Sequence, residues 1–190
     1  MDDMRRIKQA LRKELMAERR ALGDAEREAR SAVIVDKILA DPAWHAAKTV
    51  FSFMPMEEEL NVEPLLVAAE REGKRIGFPV CFPKGRMEVY ARGDHDWEID
   101  NYGIRVPVTD ENNYIPADEI DLVIAPLLGF DREKYRIGYG AGFYDRFIER
   151  LRPDCPVIGV AFSVQERDRI PREPTDKRLT KIYTEKETIA

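Results

Sequence analysis

Apolar positions along the chain follow a helical period at first and then fall into short, unbroken runs, which is typical of an α/β protein. Two amphipathic stretches, 4–22 and 24–39, predict an N-terminal pair of helices. The later runs lack clean alternation, which indicates strands buried on both faces of a parallel sheet. We predict strands at residues 49–54, 75–81, 87–92, 121–128, 156–162 and 180–185, with 121–128 central and the last strand at an edge.

These elements predict the fold class: a single α/β domain over residues 1–190, with a mostly parallel central sheet, flanking helices and a mixed edge. A helix that opens at Pro64 and ends at Gly73 separates the first two strands, so this unit is a βαβ crossover. Ligands bind at the carboxyl ends of such strands. The polar excursion at residues 93–114 is expected to form short strands of its own.

The predicted inward faces of the two N-terminal helices can be read from their apolar positions. They are Met4, Ile7, Leu11, Leu15 and Leu22 in the first helix, and Ala29, Val33, Ile34 and Ile38 in the second. Asp24 is a candidate N-cap for the second helix. We expect most basic side chains of the first helix to be solvated. Lys8 and Arg12, four residues apart, can point the same way and grip an anion.

Composition narrows the functional classes. The chain carries 31 Lys and Arg against 36 Asp and Glu, a net charge of −5, which does not favour a nucleic-acid partner. Its N-terminus is charged and no run of 18 apolar residues occurs, so we expect a cytoplasmic protein without a membrane partner. Cys81 and Cys155 lie far apart in apolar runs, which favours free thiols over a disulfide or a metal site.

The most informative stretch runs from Arg136 to Arg146 and reads Arg-Ile-Gly-Tyr-Gly-Ala-Gly-Phe-Tyr-Asp-Arg. Alternating glycines let the main chain approach a ligand closely and turn several N–H groups toward one anion. A helix predicted at 143–151 follows, and its N-terminus also favours negative charge. The spacing matches neither the dinucleotide fingerprint nor a Walker A loop, so the glycines alone leave a tight packing turn open. The flanking arginines, tyrosine and aspartate favour a ligand site.

Other side chains indicate which chemistry this site would perform. The two histidines lack metal-ligand spacing and no G-x-S-x-G motif is present, so a metal-centred or Ser-His-Asp hydrolase finds no support. Arginines, lysines, glycines and carboxylates without an activated nucleophile suit phosphoryl transfer. Asp145 and Asp176 are the candidate Mg²⁺ ligands, since Mg²⁺ prefers few carboxylates together with waters and phosphate oxygens. In the loop after the first strand, at least two of Glu57, Glu58 and Glu59 are expected to be solvated.

With these residues placed, the chain resembles the 5-formyltetrahydrofolate cyclo-ligase (5,10-methenyltetrahydrofolate synthetase) family over nearly its full length. Four matches occur in order along the chain. They are Lys8 and Arg12 on the first helix; Glu59-Leu60-Asn61; Arg136–Arg146, preceded by Pro126 and Phe130-Asp131; and Gln165 with Pro171 and Asp176. The third match is highly specific.

The resemblance implies an ATP- and Mg²⁺-dependent enzyme that converts 5-formyltetrahydrofolate to 5,10-methenyltetrahydrofolate and acts as a monomer or homodimer. It implies catalytic roles for Arg12, Arg136 and Tyr144, and magnesium ligands at Asp145 and Asp176. The implied ATP-binding residues are Lys8, Arg12, Arg136, Gly138, Tyr139, Gly140, Ala141, Gly142, Phe143 and Tyr144. The implied folate-binding residues are Met54, Glu59, Tyr139, Gly140, Ala141, Gly142 and Phe143.

Three positions depart from the family pattern. Val106 stands where a glutamate before proline is frequent, Val62 where threonine is usual, and Tyr135 where glycine is common. A second hypothesis therefore stays open: a paralogue that binds folate or a nucleotide without this turnover, as a storage or regulatory module. Val106 is the residue that favours this alternative, whereas Arg136, Asp145 and Asp176 favour the enzyme.

Overall fold

The computed structural model of the protein describes residues 2–56, 58–92, 97–100 and 103–190. The helices are α1 (Asp2–Ala21), α2 (Asp24–Leu39), α3 (Pro42–Ala46), α4 (Glu63–Arg71) and α5 (Phe143–Ile148). The first seven strands are β1 (Thr49–Phe51), β2 (Arg75–Phe82), β3 (Arg86–Ala91), β4 (Trp97–Ile99), β5 (Arg105–Pro107), β6 (Tyr114–Ile115) and β7 (Leu122–Pro126). The others are β8 (Gly129–Phe130), β9 (Arg136–Ile137), β10 (Val157–Val160), β11 (Lys181–Tyr183) and β12 (Thr188–Ile189).

The main sheet has eight strands in the order β12-β11-β10-β7-β1-β2-β3-β6. The five strands from β11 to β2 pair in parallel, whereas β12, β3 and β6 are antiparallel. This arrangement confirms the predicted fold class, including the β1–α4–β2 crossover and the central position of β7. It also confirms short strands within the polar excursion, where β4 pairs with β5. The predictions for Glu57, for 93–96 and for 101–102 lie outside the described residues.

Two apolar layers cover the sheet, because side chains of successive strand residues point to opposite faces. Val50 belongs to the layer beneath α2, α3 and α4, while its neighbour Phe51 belongs to the layer beneath α5. Residues of β7 divide in the same way, with Ile124 in the first layer and Val123 in the second. The strands predicted to be buried on both faces therefore form the core.

The prediction that the last strand lies at an edge was wrong. β11 pairs with β10 on one side and with β12 on the other, and Ile182 in β11 is fully buried. The chain turns back after β11, so residues 188–189 cover the exposed main chain of that strand. A two-residue strand has too little periodicity to be read from sequence.

The predicted inward faces of α1 and α2 were partly wrong. Ile34 and Ile38 are fully buried as predicted, but Ala29 and Val33 are exposed. In α1, Leu15 is fully buried whereas Ile7 is 46% exposed. Helical periodicity locates an apolar stripe but does not show which neighbouring elements the helix packs against. Here those neighbours contact other positions of the two helices.

Polar positions at the starts and cores of these helices need similar corrections. Gly23, not Asp24, occupies the N-cap of α2, and the Asp24 carboxylate instead pairs with Arg27 one turn later. On α1 most basic residues are solvated as expected, since Arg5, Arg6, Lys13 and Arg20 are exposed, but Lys8 and Arg19 are buried. Burial of a charge requires a partner, so these two side chains indicate where α1 meets acidic groups.

The cysteine prediction is confirmed, since Cys81 and Cys155 are free thiols and burial raises the pKa of each to about 11. Within the described ranges, no helix is both long and apolar enough to cross a membrane.

Candidate active site

The Gly-rich loop, residues 138–142, joins β9 to α5 beyond the carboxyl ends of the parallel strands. β9 pairs with β8 in a short hairpin that follows β7, so Arg136 is fixed opposite Phe130. Gly142 adopts a left-handed conformation at the start of α5, with φ 66°. Gly140 has φ 106°, and a Cβ there would lie 3.0 Å from the guanidinium carbon of Arg12. The backbone conformation therefore favours glycine at position 140, and a side chain there would also require the Arg12 guanidinium to shift.

α1 presents two basic side chains to this loop. Lys8 Nζ donates to Glu173 Oε2 at 2.8 Å and to Asp176 Oδ2 at 2.7 Å. Arg12 Nε donates to the Gly138 carbonyl at 2.8 Å, so α1 and the loop are directly joined. The sequence prediction that both side chains point the same way is consistent with these contacts, because both reach the Gly-rich loop or its neighbouring segment 173–176.

The third basic side chain comes from β9. Arg136 Nη2 donates to Asp145 Oδ1 at 3.1 Å, and its Nη1 donates to the Lys177 carbonyl at 3.2 Å. The Lys177 N–H also donates to Asp145 Oδ1, at 2.9 Å. Because Asp176 directly precedes Lys177, both predicted magnesium ligands border one short segment. We call this set of residues the charged cluster; its members are Lys8, Arg12, Arg136, Asp145, Glu173 and Asp176.

Within the charged cluster, cations and carboxylates neutralise each other. Burial lowers the pKa of Lys8, but hydrogen bonds to Asp176 and Glu173 outweigh it, and the net direction is upward. Lys8 is therefore held in its cationic form. An anionic ligand that entered would replace the carboxylates as the partner of the cations. The carboxylate oxygens at that place would then be released.

The donor set around Asp145 and Asp176 fits Mg²⁺ held jointly with phosphate. Among the residues that the structure describes, hydrogen bonds fall on Oδ1 of Asp145 and on Oδ2 of Asp176, so the other oxygen of each carboxylate could bind a cation. Among the described residues, no group of three or more His, Cys, Asp or Glu side chains forms a metal site. Two carboxylates that need phosphate oxygens and waters to complete six ligands are typical of Mg²⁺ rather than of a protein cage.

A second group of residues lies on the inner side of the Gly-rich loop. The Tyr139 hydroxyl donates to Glu59 Oε1 at 2.7 Å and accepts from Arg19 Nη2 at 2.9 Å. Glu59 Oε2 accepts from the Met56 N–H at 3.0 Å, and its carboxylate is nearly inaccessible to solvent. Burial raises the pKa of Glu59, although Tyr139 and Arg19 act in the opposite direction. We call Arg19, Glu59 and Tyr139 the buried triad.

Three further predicted site residues surround these groups. Tyr144 stacks on Phe51 with ring centroids 5.6 Å apart, and the Arg136 guanidinium lies 5.9 Å from its ring. Burial raises the pKa of Tyr144, whose buried hydroxyl has no hydrogen-bond partner in the described part of the chain. Met54 is buried in the first apolar layer, and Phe143 is half-buried against the second.

Sequence reasoning missed two members of these groups, Arg19 and Glu173. Arg19 follows Lys8, Arg12 and Leu15 at spacings of four, three and four residues, which is the period of one helix face. This spacing places Arg19 on the same helix face as Lys8 and Arg12, but it does not distinguish a buried cation from a solvated one. Glu173 lies three residues before Asp176, but nothing in its sequence context distinguishes it from a surface carboxylate. For the acidic loop, Glu58 pairs with Arg20 while Glu59 is buried.

A further cavity lies away from these groups. It has a volume of about 390 Å³ and lies at the β3–β6 edge, between Arg86, Glu88, Asp110 and Tyr114. No predicted site residue lines it. The charged cluster and the buried triad, by contrast, meet at the strand ends where ligands of α/β proteins bind.

The parallel sheet, the Gly-rich loop and the charged groups around it define an α/β protein with a candidate site for an anionic ligand. The model of the 5-formyltetrahydrofolate cyclo-ligase family matches residues 4–185. The chain belongs to this family, and it is an enzyme of the ligase class that acts in folate one-carbon metabolism. The family membership confirms the resemblance drawn from the motifs.

Relatives and solved structures agree with this assignment. The 5-formyltetrahydrofolate cyclo-ligase of Escherichia coli K12 is 28% identical, over 87% of this chain and 93% of its own length. The Mycoplasma pneumoniae cyclo-ligase is 29% identical, over 94% of this chain and 98% of its own. The solution structure of Aquifex aeolicus 5,10-methenyltetrahydrofolate synthetase superposes with a TM-score of 0.83 at 28% identity, covering 96% of this chain and 91% of that one.

Proposed function

We propose that this chain, as a single cyclo-ligase domain over residues 1–190, converts 5-formyltetrahydrofolate and ATP to 5,10-methenyltetrahydrofolate, ADP and phosphate in the presence of Mg²⁺. In this reaction the formyl oxygen takes the γ-phosphoryl group, N10 attacks the activated carbon, and phosphate leaves. An amide-like oxygen is a poor leaving group until it is phosphorylated, and ring closure requires positioning more than a protein nucleophile. We also propose a cytoplasmic monomer or homodimer without nucleic-acid or membrane partners.

The observation that carries the proposal is the charged cluster, where Arg12 bonds to the Gly-rich loop while Lys8 and Arg136 bond to Asp176 and Asp145 beside it. These cations would hold the triphosphate, with main-chain groups of residues 138–144 against it. Arg12, Arg136 and Tyr144 would be the catalytic residues, because they border the point where the phosphoryl group leaves ATP. Two fixed guanidinium groups would stabilise the charge that develops on the transferring group.

The magnesium assignment rests on Asp145 and Asp176. Their free carboxylate oxygens border the segment to which Lys8 and Arg136 are bonded, so a cation held there would lie beside the phosphates. Asp145 and Asp176 would hold Mg²⁺, which would supply positive charge that offsets the charge of the phosphates. The folate would lie on the inner side of the loop, against Met54, Glu59 and residues 139–143, with its formyl oxygen directed toward the triphosphate.

A spectrophotometric assay tests the proposal through the absorbance of methenyltetrahydrofolate formed from 5-formyltetrahydrofolate, ATP and Mg²⁺. Asp145→Ala should lower the rate on the order of 100-fold through loss of metal-bound ATP, while circular dichroism shows an intact fold. The exposed Asp168→Ala serves as the control and should retain the wild-type rate. Near-normal turnover by Asp145→Ala would mean that the magnesium assignment is wrong.

The alternative, a module that binds folate or nucleotide without turnover, rests on Val106. This residue lies in β5 opposite Glu98 and is 6% exposed, so a valine is accommodated there by packing. Well-folded protein that binds folate but forms no methenyltetrahydrofolate would favour this alternative over the enzyme.

A further inference from the structure

The segment of residues 170–179, all of which the structure describes, carries Asp176 of the charged cluster but forms no helix or strand. Some of its bonds lie inside the cluster, where Lys8 pairs with the Asp176 carboxylate and the Lys177 N–H donates to Asp145. Under the proposed function, ATP and Mg²⁺ would take over the partners in these bonds. Contacts outside the charged cluster are then needed to keep the segment in place.

Both ends of this segment are bonded to one tight turn, residues 131–135, which joins β8 to β9. At the start of the segment, the Ile170 N–H donates to Asp131 Oδ2 at 2.9 Å. At its end, the Leu179 N–H donates to the Lys134 carbonyl at 2.9 Å. The turn leads directly into β9, so the segment and the cation that β9 contributes to the charged cluster are held by one unit.

The 131–135 turn is fixed by several bonds of its own, which makes it a suitable anchor. Asp131 Oδ1 accepts from the Tyr135 N–H at 3.1 Å, and the Asp131 N–H donates to the Tyr135 carbonyl at 3.1 Å. Lys134 adopts a left-handed conformation with φ 68°, which residues other than glycine keep only where the surrounding structure imposes it. Because Asp131 is 1% exposed, its charge depends on the donors around it.

Arg172 links the segment to the turn through its side chain. Its Nη2 donates to Asp131 Oδ2 at 2.7 Å, and its Nη1 donates to Glu133 Oε2 at 2.7 Å. Its guanidinium carbon lies 4.0 Å from the centroid of the Tyr135 ring. A planar guanidinium held by two carboxylates and an aromatic face keeps one orientation. Arg172 precedes Asp176 by four residues, so the main chain that carries this carboxylate is fixed with it.

We propose that Arg172 is a positioning residue of the nucleotide site: held between Asp131 and the Tyr135 ring, it fixes the segment so that the Asp176 carboxylate meets a metal-bound triphosphate without reordering. This inference rests on the proposed function, which supplies the nucleotide and Mg²⁺. Removing a side chain that orients a metal ligand without touching the metal typically costs about 10- to 100-fold in metal affinity. Arg172 would act through the main chain of its segment and not through a bond to the ligand.

The test is equilibrium binding, by calorimetry and without folate, of a non-hydrolysable ATP analogue in the presence and absence of Mg²⁺. The measured quantity is the factor by which Mg²⁺ raises the affinity. Arg172→Met keeps an apolar stem against the ring but no donor, and should lower this factor about tenfold, whereas the affinity without Mg²⁺ should change less than about threefold. Arg169→Met is the matched control, because its arginine is exposed in the same stretch, and should leave the factor unchanged.

Arg172→Met leaves the buried Asp131 without its cation, so a second pair of variants avoids that cost. Tyr135→Leu keeps every charge of the turn but removes the aromatic face, and should lower the Mg²⁺ factor about threefold. Tyr135→Phe keeps the face and should restore the wild-type factor. If Arg172→Met does not fold, these two variants decide.

Amide hydrogen exchange without nucleotide provides a readout that is independent of any ligand. The Lys177 N–H, which is bonded to Asp145, should exchange about tenfold faster in Arg172→Met and in Tyr135→Leu, while the N–H groups of β7 and β10 keep their rates. Unchanged exchange at Lys177 would overturn the inference.

The binding measurements can also overturn it. An unchanged Mg²⁺ factor in either variant, or an equal loss of affinity with and without Mg²⁺, would contradict a positioning role. A wild-type chain to which Mg²⁺ brings no gain refutes the magnesium assignment of the proposed function and the inference with it. A wild-type chain that shows the gain but forms no methenyltetrahydrofolate refutes only the proposed function and leaves the positioning role intact.

Discussion

The charged cluster and the buried triad share the Gly-rich loop but satisfy their charges in different ways. In the charged cluster the carboxylates remain partly open to solvent, with 25% of the Asp145 side chain and 53% of the Glu173 side chain exposed, although their partners Arg136 and Lys8 are only 4% and 10% exposed. In the buried triad the Arg19 and Glu59 side chains are 4% and 5% exposed. Exposed ion pairs exchange partners at little cost, whereas buried charges must always keep one.

This difference assigns different roles to the two regions. The charged cluster can give up its internal pairs to a polyanion, because water and counter-ions compensate the released carboxylates. The buried triad can open only for a ligand that replaces its hydrogen bonds one for one. The charged cluster is therefore suited to providing binding energy for a charged ligand, and the buried triad is suited to discriminating between ligands. The four predictions below test that division, from the largest expected effect to the smallest.

Arg136→Met, in the charged cluster, should have the largest effect, a loss of kcat. If Arg136 has the proposed role, loss of its guanidinium would remove charge stabilisation at the transferring group, which typically costs about 100- to 1,000-fold in kcat. Steady-state kinetics with both substrates measures the effect. The control is Arg132→Met, whose arginine pairs with Glu166 and Glu187 at the surface and should leave kcat unchanged. A kcat within threefold of wild type would remove Arg136 from the catalytic residues.

Tyr139→Phe should destabilise the free protein because it removes a hydrogen bond of the buried triad. Without the hydroxyl, Glu59 loses a donor in a buried position, which costs about 2 kcal/mol in the free energy of unfolding. Urea denaturation without ligand measures it. Tyr135→Phe is the control, because the ring of Tyr135 packs against the Arg172 guanidinium at 4.0 Å and that contact survives. Equal stability of the two variants would contradict a structural role for the triad.

Lys8→Met, in the charged cluster, should weaken the binding of ATP but not that of 5-formyltetrahydrofolate. The KM for ATP should rise about tenfold, equivalent to about 1.4 kcal/mol, while the KM for 5-formyltetrahydrofolate changes little. Lys13→Met, in which an exposed lysine of the same helix is lost, should change neither constant. A rise in the KM for 5-formyltetrahydrofolate with an unchanged KM for ATP would show that Lys8 contributes to folate binding and not to ATP binding.

Glu59→Gln should show the smallest effect, as a pH dependence of stability. Burial raises the pKa of Glu59, so its contribution to stability is fully present below the unfolded pKa of about 4.3 and is lost as pH rises through the folded pKa. Glutamine does not titrate. The unfolding free energy of the variant minus that of wild type should therefore be larger at pH 7 than at pH 4.

Glu58→Gln provides a control of opposite sign for this measurement. A hydrogen bond from Arg20 lowers the pKa of Glu58, so wild type gains stability as pH rises above the folded pKa, and the difference should fall between pH 4 and pH 7. Two neighbouring glutamates with the same trend would mean that burial does not distinguish them.

Several features of the molecule were predictable because they depend on local chain chemistry. The apolar runs at 121–128 and 156–162 located β7 and β10, since a strand buried on both faces tolerates few polar residues. The alternating glycines located the loop before α5, because the left-handed conformation at Gly142 excludes most other residues. The family followed from residue types in a fixed order along the chain.

Other features were not predictable, because they depend on what an element packs against. The periodicity of α1 allowed more than one inward face, and the acidic groups at 173–176 and at Glu59 turned Lys8 and Arg19 inward while Ile7 stayed exposed. The same is true of β12, which is too short to have a pattern and exists because β11 offers unpaired main-chain groups.

The sequence by itself determined the fold class, the Gly-rich loop and the family, because local conformation and residue order carry that information. Only the tertiary structure decided that one loop lies between a charged cluster whose carboxylates are partly exposed and a triad whose ion pair, Arg19 and Glu59, is buried. Burial sets the free energy of a charge, and burial arises from the whole chain. Glu58 and Glu59 illustrate the reason: adjacent and chemically identical, they have pKa values shifted in opposite directions.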